Sequence, residues 1–332
     1  MQAFIKAITY ALPDREVTNE SLVAEFPEWS VEKIADKVGI NKRFISSENE
    51  TSADLAVKAA ERLFVENSDL KKESIDFVLF CTQSPDYFLP TSACVIQNKL
   101  SLPTSCGALD FNLGCSGYVY GLSLAKGLLL GGIASILLLT GETYSKFIHP
   151  KDKGNRTIFG DAGSATLISS EGFAEIGNFS LGSDGRGAEN LMVKSGGMRF
   201  KEPINDLQFE ENGNPRSSDY LFMNGSEIFN FTIEAVPPLI EKTLAKNALT
   251  QNDINGYIFH QANKFMINFL RKKIKIEPDK FFIYMSEVGN TVSNTIPIVL
   301  TEKINEKALK GNIILAGFGV GYSWGGCLLQ FD

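Results

Sequence analysis

The spacing of hydrophobic and polar positions predicts strands and helices that alternate along the chain. Short apolar runs that end at turn residues are typical of buried strands, and they cover 75–81, 108–112 and 134–140. Apolar residues at helical spacing, or in a long run interrupted by glycine, predict helices at 51–67, 91–100 and 116–130. Regular alternation of this kind favours an α/β fold.

The residues before this pattern predict two further elements. A short apolar segment at 4–12 predicts a strand, and one helix is expected from Asn19 to about Gly39, with Trp29 in its middle. The helix at 51–67 has Thr51 or Ser52 as its predicted N-terminal cap.

The second half of the chain repeats the order strand, helix, strand, turn, helix, strand. The matching segments cover 256–260, 262–273, 281–283, 291–307 and 312–317. A shared order of elements with low residue identity predicts a tandem duplication. We expect one half at 1–172 and the other at 173–332, with equivalent strand ends converging on a pseudo-two-fold axis.

Composition limits the class of protein. The chain has 332 residues, of which 44% are hydrophobic and 21% charged, and these values permit a large buried core. A net charge of -7 argues against nucleic acid as the main partner and against a basic membrane-binding surface. The five cysteines have no C-x-x-C spacing, so the sequence predicts neither a disulfide framework nor a zinc site.

The sequence also predicts a cytoplasmic protein. The first residues lack the charged and apolar regions of a signal peptide, and three charged residues at 14–16 follow early. The most apolar run, 128–139, is too short for a membrane span and is broken by two glycines.

Cys115 lies where a predicted strand turns into a predicted helix. The unpaired N–H groups and partial positive charge of a helix N-terminus favour thiolate over thiol, and Gly114 and Gly117 leave the sulfur approachable. The turn is similar to the nucleophile elbow of acyl-transfer enzymes. The alternative is a small apolar cysteine packed under a helix, since free cysteine is among the most buried residue types.

Asn290 and His260 lie at matching points of the second half. Asn290 precedes its helix as Cys115 does in the first half, and His260 ends the strand that matches 77–81. Convergence would bring the three groups together beyond the carboxyl ends of strands, where α/β folds place their sites. The alternative for His260 is a core histidine with a satisfied ring. The other histidine, His149, lies in a polar loop and is expected to be a solvated surface residue.

Five short motifs carry a resemblance to a known family. They are GCSG around Cys115, HQAN at 260–263, GNT at 289–291, FGD at 159–161 and GFGVGYSWGG at 317–326. This set, in this order, resembles the β-ketoacyl-acyl carrier protein synthase III branch of the thiolase-like condensing enzymes, over nearly the whole chain. The resemblance implies a five-layered α/β/α/β/α fold made from two duplicated halves, and a homodimer.

The resemblance also implies a reaction, the decarboxylative condensation of a primer acyl thioester with malonyl-acyl carrier protein. Cys115 would take the primer acyl group, and the backbone N–H groups of Cys115 and Val320 would hold its carbonyl oxygen. His260 and Asn290 would donate hydrogen bonds to the enolate that decarboxylation leaves. The substrates would be coenzyme A or carrier-protein thioesters, and no metal or cofactor is expected.

Two alternatives to this function stay open in the sequence. One is a specialised acyltransferase or condensing enzyme of a secondary or surface-glycan or lipid pathway. The other is a catalytically silent partner subunit, against which the presence of all three site residues argues.

The glycine-rich segment at 317–326 superficially resembles a dinucleotide-binding loop. A Rossmann fingerprint requires a long helix and then an acidic residue after the glycines, and neither follows here. We expect instead that this segment forms the backbone floor of the active site, with Phe318 beside Cys115.

The substrate-binding residues that the resemblance implies are Lys37, Leu89, Lys153, Gly154 and Asn263. Leu89 would close the far end of the partner's acyl pocket, and because leucine is smaller than the phenylalanine of some relatives, we expect primers longer than acetyl. Lys37 and Lys153 stand where arginine is usual, so phosphate contacts stay open to these residues but with weaker bidentate geometry.

Two polar stretches complete the expectations. The helix after His260 carries a basic patch that would dock the acidic acyl carrier protein, formed by Lys264, Arg271, Lys272, Lys273 and Lys275. The alternative is a solvated helix flank. The segment Ser183–Asp219 is predicted to be irregular and to cover the pocket or the dimer interface, or to be a surface excursion.

Overall fold

The computed structural model describes residues 2–332. The strands are β1 Phe4–Ala11, β2 Arg15–Thr18, β3 Lys42–Ile45, β4 Phe77–Cys81, β5 Gly107–Phe111, β6 Ser135–Glu142, β7 Ala162–Ser169, β8 Ala174–Ser183, β9 Leu191–Met192, β10 Gln208–Phe209, β11 Pro215–Arg216, β12 Phe222–Met223, β13 Gly256–Phe259, β14 Gly311–Gly319 and β15 Ser323–Phe331. The α-helices are α1 Asn19–Glu25, α2 Val31–Val38, α3 Ser52–Glu66, α4 Ser92–Lys99, α5 Gly117–Leu130, α6 Lys153–Arg156, α7 Gly225–Lys246, α8 Lys264–Ile274 and α9 Thr295–Asn305.

One sheet repeats its topology about the junction of β1 with β8. Outward from that junction, the order is β1-β7-β6-β4-β5 on one side and β8-β15-β14-β13 on the other. Among the described residues, the strands of the two halves pair where Phe4 and Ile5 lie opposite Glu175 and Ala174. The duplication predicted from the sequence is therefore confirmed in the fold. The boundary at 172/173 falls between β7 and β8 and stays a prediction.

Helices form three layers around these two groups of strands. In the middle layer, α5 and α9 contact strands of both halves, whereas α3 and α4 cover the first half and α7 covers the second. The middle helices are apolar on several faces because both sides are buried, as for Leu122 and Val299. The predicted five-layered α/β/α/β/α order is confirmed. No helix in residues 2–332 is long and apolar enough to cross a membrane.

The N-terminus of α3 shows why this helix begins where it does. Thr51 Oγ1 accepts from the backbone N–H of Asp54 at 3.2 Å, and the Asp54 carboxylate accepts from the Thr51 N–H at 3.0 Å. This capping box identifies Thr51 as the cap. The apolar face of the helix, including Leu55 and Leu63, is fully buried.

The single helix predicted from Asn19 to Gly39 is wrong. α1 ends at Glu25 and α2 begins at Val31, so Trp29 lies in the turn between two helices. Pro27 disfavours the helical conformation of the residue before it, and Ser30 caps α2 by accepting from the Lys33 N–H at 3.1 Å.

Two predicted elements of the second half also need correction. The strand expected at 281–283 is wrong, because Phe281 forms only an isolated parallel bridge to Tyr257. The helix expected from Thr291 begins as a 3₁₀ turn at Val292–Asn294, and α9 starts at Thr295.

Two segments for which the sequence predicted no helix or strand contain regular structure. The floor segment at 317–326 is a hairpin, formed by the end of β14 and the start of β15. The polar stretch Ser183–Asp219 contains a 3₁₀ helix at Gly185–Asn190 and the short strands β9, β10 and β11. Strands β7, β8 and β15 had no predicted counterpart; β7 and most of β15 are buried, whereas most of β8 is half-buried or exposed.

Candidate active site

Cys115 occupies the turn between β5 and α5, as the sequence predicted. The turn is tight, because a Cβ added at Gly114 would lie 2.4 Å from the Gln83 side chain and one at Gly117 would lie 2.3 Å from Cys81 Sγ. β14 passes against the same turn, so that a Cβ at Gly319 would lie 2.9 Å from Cys115 Sγ. Glycine at these positions lets the turn pack closely against the Gln83 and Cys81 side chains, and it lets β14 approach the Cys115 sulfur.

Cys115 is a protonated thiol in the resting site. Burial, together with the neighbouring Glu142 carboxyl, raises its pKa to about 12. The backbone N–H groups of Cys115 and Val320 point at the sulfur and oppose this effect. The expectation that the helix N-terminus alone would favour the thiolate is therefore wrong, because loss of water outweighs the helix charge.

His260 follows β13 and is held at its backbone and its ring. Its N–H donates to the Ala316 carbonyl at 2.8 Å, and Nδ1 lies 2.8 Å from Thr295 Oγ1. The ring is 2% exposed and meets Phe318 edge-on, with ring centroids 5.7 Å apart. Burial lowers the pKa of His260 to about 3, so the imidazole is neutral.

Asn290 is oriented by the backbone around it. Gly289, in the left-handed region at φ +74°, starts the turn, and the Asn290 N–H donates to the Ile158 carbonyl at 2.9 Å. Asn290 Oδ1 accepts from the Val292 N–H at 3.0 Å, while Nδ2 lies 3.4 Å from the Ala262 carbonyl. With its oxygen held and one amide N–H directed at the Ala262 carbonyl, the side chain has its second amide N–H for the site.

These three residues line one buried cavity of about 50 Å³. Phe318 and Gly319 of β14 form part of the same wall, which is where the floor segment was expected. A larger groove of about 690 Å³ lies outside the cavity and shares Ile158 and Asn263 with it. The cavity therefore lies at the inner end of a surface groove.

The implied substrate-binding residues are placed differently from one another. Lys37 lines the groove, and Asn263 lines groove and cavity while its Oδ1 caps α8 by accepting from the Met266 N–H at 2.9 Å. Lys153 forms an ion pair with Glu28. Among residues 2–332, neither Lys153 nor Gly154 lines the groove or the cavity. Leu89 is 82% exposed and also lies outside them.

The basic patch of α8 is only partly free. Lys264 and Lys272 are exposed and line the groove. Arg271 donates to the Ile276 carbonyl at 2.9 Å, and Lys273 donates to the Ile233 carbonyl at 2.9 Å. These two side chains stabilise the helix end and its packing, whereas the two lysines of the groove can meet a partner.

His149 lies apart from this cavity, as expected. Its ring meets Tyr220 edge-on, with ring centroids 4.8 Å apart, and it meets Phe209 edge-on at a centroid distance of 6.1 Å. Aromatic neighbours therefore partly cover it. Partial burial and Lys151 lower its pKa.

Glu142 is a site-adjacent residue that the sequence reasoning missed. It is fully buried at the end of β6, and its carboxyl group accepts from the Gln83 N–H at 3.1 Å and from Ser293 Oγ at 3.0 Å. Ser293 follows the Asn290 turn, so Glu142 links the two halves behind the cavity. A lone acid that ends the apolar run SILLLTGE was the available signal.

Glu142→Gln is expected to stabilise the fold more at pH 8 than at pH 5. Burial raises the pKa of Glu142 from 4.5 to about 8, so its contribution to stability is full below pH 4.5 and is lost as the pH rises through about 8. Glutamine stays neutral throughout. Thermal unfolding followed by circular dichroism should show a gain in Tm at pH 8 that exceeds the gain at pH 5 by at least about 4 °C.

Glu241→Gln is the matched control, because Glu241 is exposed on α7. It should change Tm equally little at both pH values. An equal effect of Glu142→Gln at the two pH values would contradict the raised pKa.

Two family models match the chain. The model described as 3-oxoacyl-[acyl-carrier-protein (ACP)] synthase III matches residues 109–185, and the model of its C-terminal part matches residues 244–331. The first match contains Cys115, and the second contains His260 and Asn290.

Curated proteins and solved structures are similar over the whole chain. The β-ketoacyl-[acyl-carrier-protein] synthase III of Clostridium perfringens (strain ATCC 13124) is 37% identical over 322 residues, which cover 96% of each protein. A crystal structure of a 3-oxoacyl-(acyl-carrier-protein) synthase III is 46% identical, covers 100% of both chains and has a TM-score of 0.96. A 3-oxoacyl-(acyl-carrier protein) synthase from Burkholderia xenovorans LB400 is 37% identical, with a TM-score of 0.90 over 100% of this chain and 95% of that one.

Proposed function

The chain belongs to the 3-oxoacyl-[acyl-carrier-protein] synthase III family, and we propose that it condenses a primer acyl thioester with malonyl-acyl carrier protein. The product is a 3-oxoacyl-acyl carrier protein, and carbon dioxide is released. One observation carries the assignment to specific residues: Cys115, His260 and Asn290 line the same buried cavity at the end of a groove. A thiol and two neutral hydrogen-bond donors suit acyl transfer followed by decarboxylation.

The first half-reaction transfers the primer to Cys115. The sulfur forms a bond to the thioester carbonyl carbon, and the bond from that carbon to the donor sulfur breaks. The N–H groups of Cys115 and Val320, which already point at the sulfur, stabilise the oxyanion. Burial raises the pKa of Cys115 to about 12, so the resting thiol holds its proton, and that proton ends on the departing donor sulfur.

The second half-reaction uses malonyl-acyl carrier protein. The bond to the malonyl carboxylate breaks, carbon dioxide leaves, and the electron pair forms an enolate. His260 Nε2 and Asn290 Nδ2 donate to the enolate oxygen, a role that a neutral imidazole with a lowered pKa can serve. Thr295 Oγ1 lies 2.8 Å from Nδ1 and donates to the Val292 carbonyl at 3.0 Å, so it helps to hold the imidazole ring in place. The enolate carbon then bonds to the acyl carbon, the bond from that carbon to the Cys115 sulfur breaks, and the sulfur takes up a proton from solvent to restore the thiol.

The reaction is tested by incubating the protein with acyl-coenzyme A or acyl-carrier donors and then with malonyl-acyl carrier protein. We expect an acyl adduct on Cys115 by intact-mass spectrometry, followed by a 3-oxoacyl product. If none of the donors gave the 3-oxoacyl product, the proposed function would be overturned. This mechanism draws on side chains and backbone alone, with no cofactor.

We also propose that two copies of the chain form a homodimer. Tyr87, Phe88 and Leu89 are 62%, 77% and 82% exposed, and the edge strand β5 exposes Leu109. A cluster of exposed apolar side chains beside an open sheet edge is typical of an interface. Light scattering on the purified protein would measure twice the chain mass, and a monomer would contradict the proposal.

Carrier docking is expected to depend on the lysines of the groove. Lys272→Glu should raise the apparent KM for malonyl-acyl carrier protein by roughly tenfold and reduce the salt dependence of the reaction, because it removes an attraction to an acidic partner. Self-acylation from a small coenzyme A donor should change little, so steady-state kinetics with both donors separate the two effects.

Lys71→Glu gives the matched charge change at an exposed lysine outside the groove, and it should leave KM unchanged. An unchanged KM in Lys272→Glu would place docking on another surface. Equal losses with both donors would indicate damage to the cavity.

A further inference from the structure

Arg43 of β3 is a fully buried cation without a carboxylate partner. Its side chain is 0% exposed, and no ion pair within residues 2–332 involves it. Burial, together with the positive charge of Arg156, lowers the pKa of Arg43 to about 10, so the guanidinium group stays charged at neutral pH. A buried charge without a counter-ion is unfavourable, so the contacts that hold it indicate its role.

The guanidinium group of Arg43 joins distant segments of the chain by hydrogen bonds. Nη1 donates to the Val17 carbonyl at 3.1 Å, and Nη2 donates to Asn19 Oδ1 at 3.0 Å and to the Thr157 carbonyl at 2.9 Å. Val17 belongs to β2 and Asn19 begins α1, whereas Thr157 lies 114 positions after the arginine. Arg43 therefore links the N-terminal part of the chain to the segment that begins at Thr157.

Residues 157–161, which we call the wall segment, are held by β3 at both ends. The guanidinium group holds the carbonyl of the first residue, and the N–H of the last residue donates to the Phe44 carbonyl at 2.8 Å. Between these two points, Ile158 and Phe159 line the cavity. The wall segment is thus a part of the cavity wall that β3 supports from behind.

Asn290 is attached to the wall segment through its backbone. Its N–H donates to the Ile158 carbonyl at 2.9 Å, and its carbonyl accepts from the Gly160 N–H at 3.0 Å. The stem of Arg43 packs against the same place, because a Cβ added at Gly160 would lie 3.2 Å from Arg43 Cβ and one added at Gly289 would lie 3.0 Å from it. The position of Asn290 therefore depends on the wall segment and on the arginine behind it.

Cys115 and His260 are held by other parts of the chain. Cys115 lies in the turn between β5 and α5 and against β14, and His260 bonds to Ala316 and Thr295. Within residues 2–332, none of the hydrogen bonds of these two residues reaches the wall segment. A displacement of the wall segment would therefore move Asn290 and leave the nucleophile in place.

We propose that Arg43 is a positioning residue for decarboxylation, because it holds the wall segment that directs the amide N–H of Asn290 toward the enolate oxygen. The proposal rests on the proposed function and adds to it a residue that touches neither the substrate nor the reacting atoms. Arg43 itself lies outside the walls of the cavity and of the groove.

The test substitutes Arg43 and measures the two half-reactions separately. Arg43→Met removes the charge and all three hydrogen bonds, and it should lower carbon dioxide release from malonyl-acyl carrier protein by roughly 10- to 100-fold, since a small displacement of a catalytic group has an effect of this size. Single-turnover acylation of Cys115, measured by intact mass, should change by less than about threefold. Arg43→Lys keeps the charge and part of the hydrogen bonding, so its loss should be smaller.

A double-mutant cycle with Asn290→Ala separates positioning from a merely structural role. If Arg43 acts through Asn290, Arg43→Met should lower the residual carbon dioxide release by less than about threefold once the amide is absent. A merely structural role would lower release by the same factor in both backgrounds and would lower acylation as well. Either of those two results would overturn the inference.

Arg199→Met is the matched control, because Arg199 is exposed, and it should leave both steps unchanged. Normal carbon dioxide release by folded Arg43→Met would overturn the inference and leave the proposed function intact, whereas absence of condensation in the unaltered protein would count against the proposed function. If circular dichroism shows that Arg43→Met does not fold, the cycle is run with Arg43→Lys. Failure of both variants to fold would show that Arg43 supports the whole fold rather than Asn290, and would also overturn the inference.

Discussion

Cys115→Ala is expected to abolish acyl-enzyme formation and to reduce condensation by roughly 10⁴-fold or more. The sulfur is the acyl acceptor of the proposed mechanism, and the backbone N–H groups of Cys115 and Val320 stabilise the carbonyl oxyanion that forms when this sulfur attacks. Decarboxylation of malonyl-acyl carrier protein should partly survive, because it depends on His260 and Asn290. Intact-mass spectrometry measures the adduct, and release of labelled carbon dioxide measures decarboxylation.

Cys94→Ala is the matched control, since Cys94 is an exposed free thiol outside the cavity. It should acylate and condense like the unaltered protein. Normal acylation of another cysteine in the Cys115→Ala protein would contradict the assignment of the nucleophile.

Asn290→Ala is expected to keep acylation and to lose decarboxylation by roughly 10²–10³-fold. Its Nδ2 is one of two proposed donors to the enolate oxygen, an atom that exists only in the second half-reaction. Single-turnover acylation by mass and carbon dioxide release from malonyl-acyl carrier protein measure the two steps separately.

Asn290→Asp separates this role from the support of the turn. Aspartate can still accept from the Val292 N–H, as Oδ1 does at 3.0 Å, but it replaces the amide donor by an acceptor. We expect the same loss of decarboxylation as in Asn290→Ala. Equal loss of acylation and decarboxylation in both variants would show that Asn290 supports the whole cavity rather than the enolate.

The charge state of the site suits the binding and decarboxylation of a malonyl group. Burial raises the pKa of Cys115 to about 12 and that of Glu142 to about 8, and it lowers that of His260 to about 3. Near neutral pH these groups are therefore mostly uncharged. An uncharged pocket does not repel the malonyl carboxylate, and its fixed donors act on the charge that decarboxylation creates.

Particular residues show how much of the site could be predicted. The turn of Cys115, the end of the strand before His260 and the turn of Asn290 were all placed correctly from periodicity and from matching the two halves. Motif order then indicated the family and the reaction. These features are local or follow from a repeated order of elements, so one sequence contains them.

Other features of the site had weak signals or none. Glu142 offered only an acid at the end of an apolar run, and nothing near Arg43 indicated that its guanidinium group would meet the Thr157 carbonyl, 114 positions later. The roles of Arg271 and Lys273 were predicted from charge alone, whereas their carbonyl partners depend on packing.

The sequence by itself determined the duplicated α/β order, the position of Cys115 between a strand and a helix, and the kind of chemistry, because backbone periodicity and short motifs are properties of neighbouring residues. The tertiary structure decided the protonation states, the size of the cavity and the break between two helices at Trp29. The spacing of apolar residues did not indicate that break. Desolvation and cavity shape depend on atoms brought together from distant parts of the chain, such as β14 against Cys115 and Arg43 against Thr157. Spacing along the chain does not contain those distances.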